Sequence, residues 1–301
     1  MKLAVCIITY QRPEGLHALL EGIAAQQWKQ YQPELTVVVV DNDPGGSAAK
    51  VLPINYPYPL IYEVEPKRGI PAARNTSVRL AGDADFVVFV DDDETPAPDW
   101  LEQLLAARHV YDADVVEGKV VSVFEQEAPE WVIRGGFFDS LQRRTGDPIR
   151  RAATNNLLMR KSIFNRYRFN EALALTGGSD TFLFTELERE AYTMICSEEA
   201  VVYDLIPTTR TTRQWVLQRA YRSGNTLAIC TGAKANARRA KAGRAIVGSG
   251  RIIQGVLLYV PALLRWEHER VKALQYVYMG AGNLAGLLGI KYLEYQKTHG
   301  R

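Results

Sequence analysis

Between residues 3 and 110, short apolar runs rich in Val and Ile alternate with stretches of helical period: 3–9 then 14–27, 35–40, 61–64 then 72–80, and 86–90 then 100–110. Runs of this length separated by amphipathic segments are the pattern of βαβ units. The expected fold is α/β, a Rossmann-like and mostly parallel sheet flanked by helices. Residues 114–124 and 155–159 read as two further strands. The segment between them contains Pro129, Trp131, Gly135-Gly136 and Gly146-Asp147-Pro148, the turn chemistry of long loops able to cover a site. Near residue 206 the character changes. Residues 214–227 look helical, and 234–244 (KANARRAKAGR) are basic without one acidic residue. The expected organisation is a catalytic domain over 1–205 and a helical C-terminal extension over 206–301.

Composition narrows the function classes. A chain of 301 residues that is 47% hydrophobic has ample material for a packed core. A net charge of +2 does not by itself imply a nucleic-acid partner. Cys6, Cys196 and Cys230 are distant and odd in number, which fits a reducing compartment better than a disulfide framework. None of the four histidines is paired at the spacing of a helical zinc site. The opening MKLAVCIITYQRPEG carries an apolar run too short for a signal-peptide core and reads as the first strand.

In open parallel sheets, ligands bind beyond the carboxyl ends of the strands. Three of those ends are polar here: Thr9-Tyr10-Gln11-Arg12, Asp41-Asn42-Asp43 and Asp91-Asp92-Asp93-Glu94. They are expected to converge. Carboxylates crowded at one strand end repel one another without a cation. Hard oxygen ligands suit Mg²⁺ or Mn²⁺, which commonly bind through one or two carboxylates plus substrate phosphates. If strand geometry persists, Asp91 and Asp93 point one way and Asp92 the other. The competing reading is an acidic turn that caps the helix starting near Pro98.

The segments IITYQRPEGLHALL, VVVVDNDPGGSA, EPKRGIPAARN, FVVFVDDDETPAPDWL and TGGSDTFLFTEL, in that order, resemble glycosyltransferase family 2. That resemblance implies the glycosyltransferase type A form of the Rossmann-like sheet. The forms DNDPGGSA, EPKRGIPAARN and DDDETP are similar to bacterial exopolysaccharide enzymes of the succinoglycan glucosyltransferase type. The similarity is strong over 3–205 and loose beyond.

The resemblance also implies roles. Thr9, Tyr10 and Arg12 would hold the base and ribose, and Asp41 would contact the nucleoside, although alone Asp41 reads as a turn-forming residue. Arg68 and Arg74 would face the diphosphate, while Lys67 reads better as a solvated charge. Asp91 and Asp93 match the DxD-type motif, with Asp93 the preferred metal ligand, Asp91 facing ribose or metal, and Asp92 grouped with the donor-binding residues. Asp180 matches the base that takes the acceptor proton, with helix capping its alternative. Ser179 stands where the family usually has Glu, a departure beside the base. Gly178 permits close approach of a sugar, and Asn155 and Asn156 lie on the segment expected beside the acceptor, with polar strand-end filler the equal alternative.

Residues 252–264 (IIQGVLLYVPALL) are 13 apolar residues, too short to span a bilayer comfortably. Residues 273–290 include 18 positions without a charge and the small-xxx-small pattern Gly282-Asn283-Leu284-Ala285-Gly286. Gln275, Asn283 and four glycines lower the hydrophobicity of that stretch. A helical pair lying in the membrane interface is expected ahead of packing within protein or a homodimer, and a true span comes last. Lys234, Arg238, Arg239, Lys241 and Arg244 add attraction to anionic lipid, and no aromatic interleaving supports nucleic-acid binding. The expected location is cytoplasmic, peripheral on the inner face of the cell membrane.

The expected activity is metal-dependent inverting transfer of a sugar from a nucleoside-diphosphate donor, a UDP-sugar, to the hydroxyl of a saccharide or lipid-linked saccharide in cell-surface or exopolysaccharide synthesis. Two rivals stay open. A nucleotidyltransferase making nucleotide sugars would also combine a nucleotide-binding sheet with carboxylate-bound metal, but the first strand runs into TYQRPEG instead of a glycine-rich phosphate loop. A non-catalytic sugar-nucleotide-binding protein at the membrane is the other.

Overall fold

The structure, a computed structural model, describes residues 1–188, 190–231 and 237–293. Lys234 of the basic stretch lies outside the described residues. The expected alternation appears as β1 (Lys2–Thr9), α1 (Pro13–Ala24), β2 (Glu34–Asp41), β3 (Leu60–Val64), α2 (Ile70–Leu80), β4 (Phe86–Asp91), β5 (Glu94–Pro96) and α3 (Trp100–Tyr111). Pro13 at the start of α1 and Glu14 in its first turn are the expected chemistry of a helix N-terminus.

β1, β2, β3 and β4 form a parallel array in the order β3-β2-β1-β4. Alternate residues of these strands enter two different cores. Leu3, Val5 and Ile7 pack with Leu16 and Leu20 of α1 and Trp100 and Leu104 of α3. Ala4 and Cys6 pack with Val38, Val40 and Ala73 on the other side. Both faces are therefore covered, which is why the runs are apolar throughout and not alternating. Each fully buried Val, Leu or Ile contributes on the order of 1.5–3 kcal/mol, so a charge placed within β1 would be costly.

β6 (Val115–Phe124) and β7 (Asn156–Arg160) are the two further strands expected, and β7 pairs antiparallel with both β4 and β6. β8 (Met194–Ile206) and the short β5, antiparallel to each other, complete an eight-stranded sheet. The sheet thus has a parallel part and an antiparallel extension. The segment between β6 and β7, read as loops, contains one short helix, α4 (Glu130–Gly135).

By contact density the chain forms two compact units. The first comprises Met1–Ser122, Ser140–Ala174 and Phe182–Leu205. The second joins Val123–Asp139 and Leu175–Thr181 to the described residues from Ile206 onward. The division falls inside α5 (Ser179–Leu187).

The second unit is built on α6 (Arg213–Thr231), α7 (Ala237–Ala262) and α8 (Glu267–Leu287). A side chain at Gly224 of α6 would lie 2.0 Å from the Met279 carbonyl oxygen, and one at Gly282 of α8 would lie 2.0 Å from that of Tyr221. On the other side of α8, a Cβ at Gly255 of α7 would come within 2.6 Å of the Ala273 carbonyl oxygen. The small residues of the 273–290 stretch are thus used for helix packing within the chain. Val132, Phe138, Val216 and Val271 form a separate apolar cluster in this unit.

Candidate active site

Strand register alone brings the polar ends together. Thr9 lies beside Asp41, and Ile8 beside Asp91. The order β3-β2-β1-β4 also means that the chain builds outward from β1 on one side and then returns to its other side. The carboxyl ends of β1 and β4 therefore flank a topological switch point, where open α/β sheets bind ligands.

At that point Arg12 holds the acidic turn. Its Nη1 donates to Asp93 Oδ2 at 2.7 Å and to Asp92 Oδ1 at 3.1 Å, and Thr9 Oγ1 donates to Asp92 Oδ2 at 2.7 Å. Gln11 has φ +55°, a conformation uncommon for a residue with a Cβ, in the turn that leads to Arg12. β4 ends at Asp91, so pleat alternation does not carry past it, and Asp92 and Asp93 share one guanidinium. Arg74, a buried residue of α2, approaches Asp91 Oδ1 with Nη2 at 3.4 Å and places its guanidinium over the Phe169 ring.

The electrostatics are those of buried carboxyls crowded at one turn. Burial raises Asp91 from 3.8 to about 7, opposed by Arg74 and reinforced by Asp93 and Asp92. Burial also raises Asp92 to about 6, opposed by Arg12 and reinforced by Asp93. Glu94 is pushed well above its ordinary value by burial and by Asp91. Among the described residues, no group of three or more His, Cys, Asp or Glu side chains is arranged to hold a metal ion. Any cation here would rest on fewer protein ligands.

Asp41 and Asn42 organise the neighbouring loops. Asp41 is fully buried, and its carboxylate accepts from the backbone N–H groups of Asp43 at 2.9 Å and Ala48 at 2.7 Å and from Tyr62 Oη at 3.2 Å. This is the turn-forming geometry. Asn42 Nδ2 donates to the carbonyls of Glu65 and Lys67, both at 2.9 Å, while its Oδ1 accepts from Gly69 N at 2.7 Å. One amide thereby pins three points of the loop that carries Lys67 and Arg68. Gly69 has φ +132°, and a Cβ there would lie 2.5 Å from that of Ala174, so only glycine fits. The Arg68 guanidinium lies 5.6 Å from the centroid of the Tyr10 ring, whereas Lys67 pairs with Glu171.

Asn155 and Asn156 are placed differently. Asn156 is 1% exposed; its Oδ1 accepts from Trp100 Nε1 at 2.8 Å, and its Nδ2 donates to the carbonyls of Lys119 at 3.0 Å and Ala200 at 2.9 Å. Its amide ties β7 to α3, β6 and β8. Asn155 is partly exposed and donates from Nδ2 to Glu94 Oε1 at 2.9 Å, while Glu94 Oε2 accepts from Asp91 N at 3.1 Å. Glu94 thus connects the acidic turn to Asn155. Neither this linking role nor that of Asn42 was assigned from sequence.

Gly178 and Asp180 belong to the second unit. Gly178 has φ +84°, and a Cβ there would meet Thr226 Cγ2 at 2.1 Å. Asp180 is the second residue of α5, inside the first turn, and its Oδ1 accepts from Thr181 N at 2.7 Å.

Comparison with known proteins accounts for this arrangement. The sequence model of glycosyl transferase family 2 matches residues 4–168. The succinoglycan biosynthesis protein ExoM of Rhizobium meliloti (strain 1021) is 33% identical over 296 residues, covering 96% of this chain and 93% of that protein. The fold is similar to that of a mannosyltransferase from Pyrobaculum calidifontis solved with GDP-Man and Mn²⁺, with a TM-score of 0.62 at 18% identity over 96% of this chain and 87% of the other. It is also similar to S. aureus TarS 1-349 solved with UDP-GlcNAc, with a TM-score of 0.56 at 16% identity over 96% and 92% of the two chains. The family match spans more than half of the chain, the relative aligns along nearly all of it, and the strand ends converge where the fold places a ligand: this protein belongs to glycosyltransferase family 2.

Proposed function

We propose that the protein transfers a sugar, with inversion, from a uridine diphosphate donor to an acceptor hydroxyl in bacterial exopolysaccharide synthesis, at the inner face of the cell membrane. The observation that carries this reading is the acidic turn at the switch point of the sheet, held by Arg12 on one side and approached by Arg74 on the other. Thr9, Tyr10 and Arg12 serve the nucleoside, with Asp41 shaping the adjoining turn, and Arg68 and Arg74 attract the diphosphate. Asp91 and Asp93 provide hard oxygen ligands for Mn²⁺ or Mg²⁺, and the raised carboxyl values of Asp91 and Asp92, due first to burial and then to their acidic neighbours, mark charge that a cation would stabilise. When bound, the divalent ion neutralises charge that accumulates on the leaving diphosphate. The family likeness to ExoM supports a polysaccharide pathway, and the mannosyltransferase solved with Mn²⁺ supports the metal.

In the transfer step, the acceptor oxygen attacks the anomeric carbon and forms the new C–O bond. The bond from that carbon to the diphosphate oxygen breaks, and the nucleoside diphosphate leaves with the electron pair. Asp180 takes the acceptor proton. Asn155, linked through Glu94 to Asp91, is the partly exposed amide of its pair and would contact the acceptor. The acceptor is a saccharide, free or carried on lipid. A panel of nucleotide sugars tested for metal-dependent thermal stabilisation and slow hydrolysis checks the reading. Release of nucleoside diphosphate supports it, and release of pyrophosphate would instead make the protein a nucleotidyltransferase.

A further inference from the structure

Among the described residues, the packing of the second unit leaves one face of α7 exposed. α7 turns Gly248, Gly255 and Ala262, spaced by seven residues, into the protein, where the two glycines meet α8. Leu264, 94% exposed, lies just beyond the end of α7, and on the helix itself the opposite stripe runs Ile246, Ile253, Leu257 and Val260, all exposed, with Leu257 at 67%. This spacing is that of a single helix face. In the most apolar 18-residue window of this helix only 17% of residues are buried. A soluble surface rarely leaves so continuous an apolar stripe uncovered.

The charges around the stripe indicate what covers it. From Ala237 to Trp266 there is no Asp or Glu, while Arg238, Arg239, Lys241, Arg244, Arg251 and Arg265 are present. Arg239 is exposed and lies seven residues before Ile246, on the same line. Trp266, 59% exposed at the other end, has the amphipathic ring favoured at a membrane boundary. An anionic lipid surface complements this basic end, where Arg238 and Arg239 are exposed, and accepts the apolar stripe in the same plane.

We propose that α7 alone is the membrane-binding element, lying flat in an anionic lipid leaflet with its outer stripe among the acyl chains while α8 stays in the protein. This rests on, and deepens, the membrane attachment proposed above. Geometry separates it from a span. By length and composition alone α7 is long and apolar enough to cross a bilayer, but Arg251 divides it, and its charge-free part, 252–262, is only about 17 Å of helix against a hydrocarbon thickness of about 30 Å. A span would also have to pull Gly248 and Gly255 away from their close contacts with α8.

The test uses the full chain and vesicles of phosphatidylglycerol and phosphatidylethanolamine. Cys6, Cys196 and Cys230 are buried, so a polarity-sensitive fluorophore can be directed to Leu257→Cys. The label should brighten on vesicle addition and be quenched by brominated acyl chains. The double variant Ile253→Glu, Leu257→Glu should unfold at the wild-type temperature, because both positions are exposed, and should lower the vesicle-bound fraction roughly tenfold. If the wild type binds vesicles but the label and the double variant report no change, α7 is not the element, though membrane attachment stands. If the wild type stays in solution as a dimer that the double variant dissociates, the stripe joins two copies and both readings fail. Retention of the wild type in cell membranes through alkaline carbonate would make α7 a span and overturn the in-plane placement.

Discussion

At the level of single residues, the site divides into groups that reach ligand and groups that hold them. Asp93→Asn removes a charged oxygen from the turn that Arg12 grips, so it should abolish the metal dependence of donor binding. Calorimetric titration of a uridine diphosphate sugar with and without Mn²⁺ decides this, and unchanged metal-dependent affinity would remove Asp93 from the site. Asp180→Asn should leave donor affinity nearly intact and reduce turnover by about 10² to 10⁴, the range of a positioned general base. Loss of donor binding and folding together would instead assign Asp180 to holding the start of α5. Asn42→Ala cuts three hydrogen bonds to the loop that carries Arg68. Each such bond contributes about 1 kcal/mol net, so donor affinity should fall at least about tenfold while turnover at saturation changes little. Sequence pattern could mark Asp91 to Asp93, because crowded carboxylates are unusual wherever they occur. It could not mark Asn42, whose importance lies in carbonyls at residues 65 and 67 that reach it only through the pairing of β2 with β3.

Elements were legible where burial is simple. Strands covered on both faces are continuous apolar runs, and these stood out. β8 did not, because Glu198 and Glu199 are exposed within it and interrupt the apolar pattern. Its place follows from partners far away in sequence, including β5, whose Glu94 pairs with Asp204. In the second unit the glycines have opposite roles that sequence does not distinguish. Gly224→Val would drive a side chain into the Met279 carbonyl, so it should destabilise the protein by about 1–3 kcal/mol or more. Gly250→Ala, in a helix position with nothing within 4 Å of the new Cβ, should stabilise it by about 0.5–1 kcal/mol. Thermal unfolding of the two variants checks both signs, and equal effects would contradict the packing of α6 on α8.

For the molecule as a whole, the acidic turn couples stability to pH and to metal. The folded values of Asp91 and Asp92, about 7 and about 6, lie above the ordinary 3.8. The folded protein therefore binds more protons than the unfolded chain between those values, and stability should fall as pH rises from about 4 through about 7. Metal-free protein should melt higher at pH about 5 than at about 7.5, and Asp92→Asn should flatten the slope. Mn²⁺ should restore the loss at the higher pH and do little at the lower, where the carboxyls are protonated. A metal-free melting temperature that rises with pH across this window would contradict the burial of these groups. Local patterning by itself determined the βαβ order, the three polar strand ends and the acidic turn, because apolar periodicity and charge density are properties of short segments. Only the tertiary structure decided that Arg12 joins Asp92 to Asp93, that Asn156 is consumed inside the sheet, and that of two apolar C-terminal helices one is packed and the other exposed. Those outcomes depend on which distant groups meet, and contact between distant groups is set by chain topology and close packing, which no local window contains.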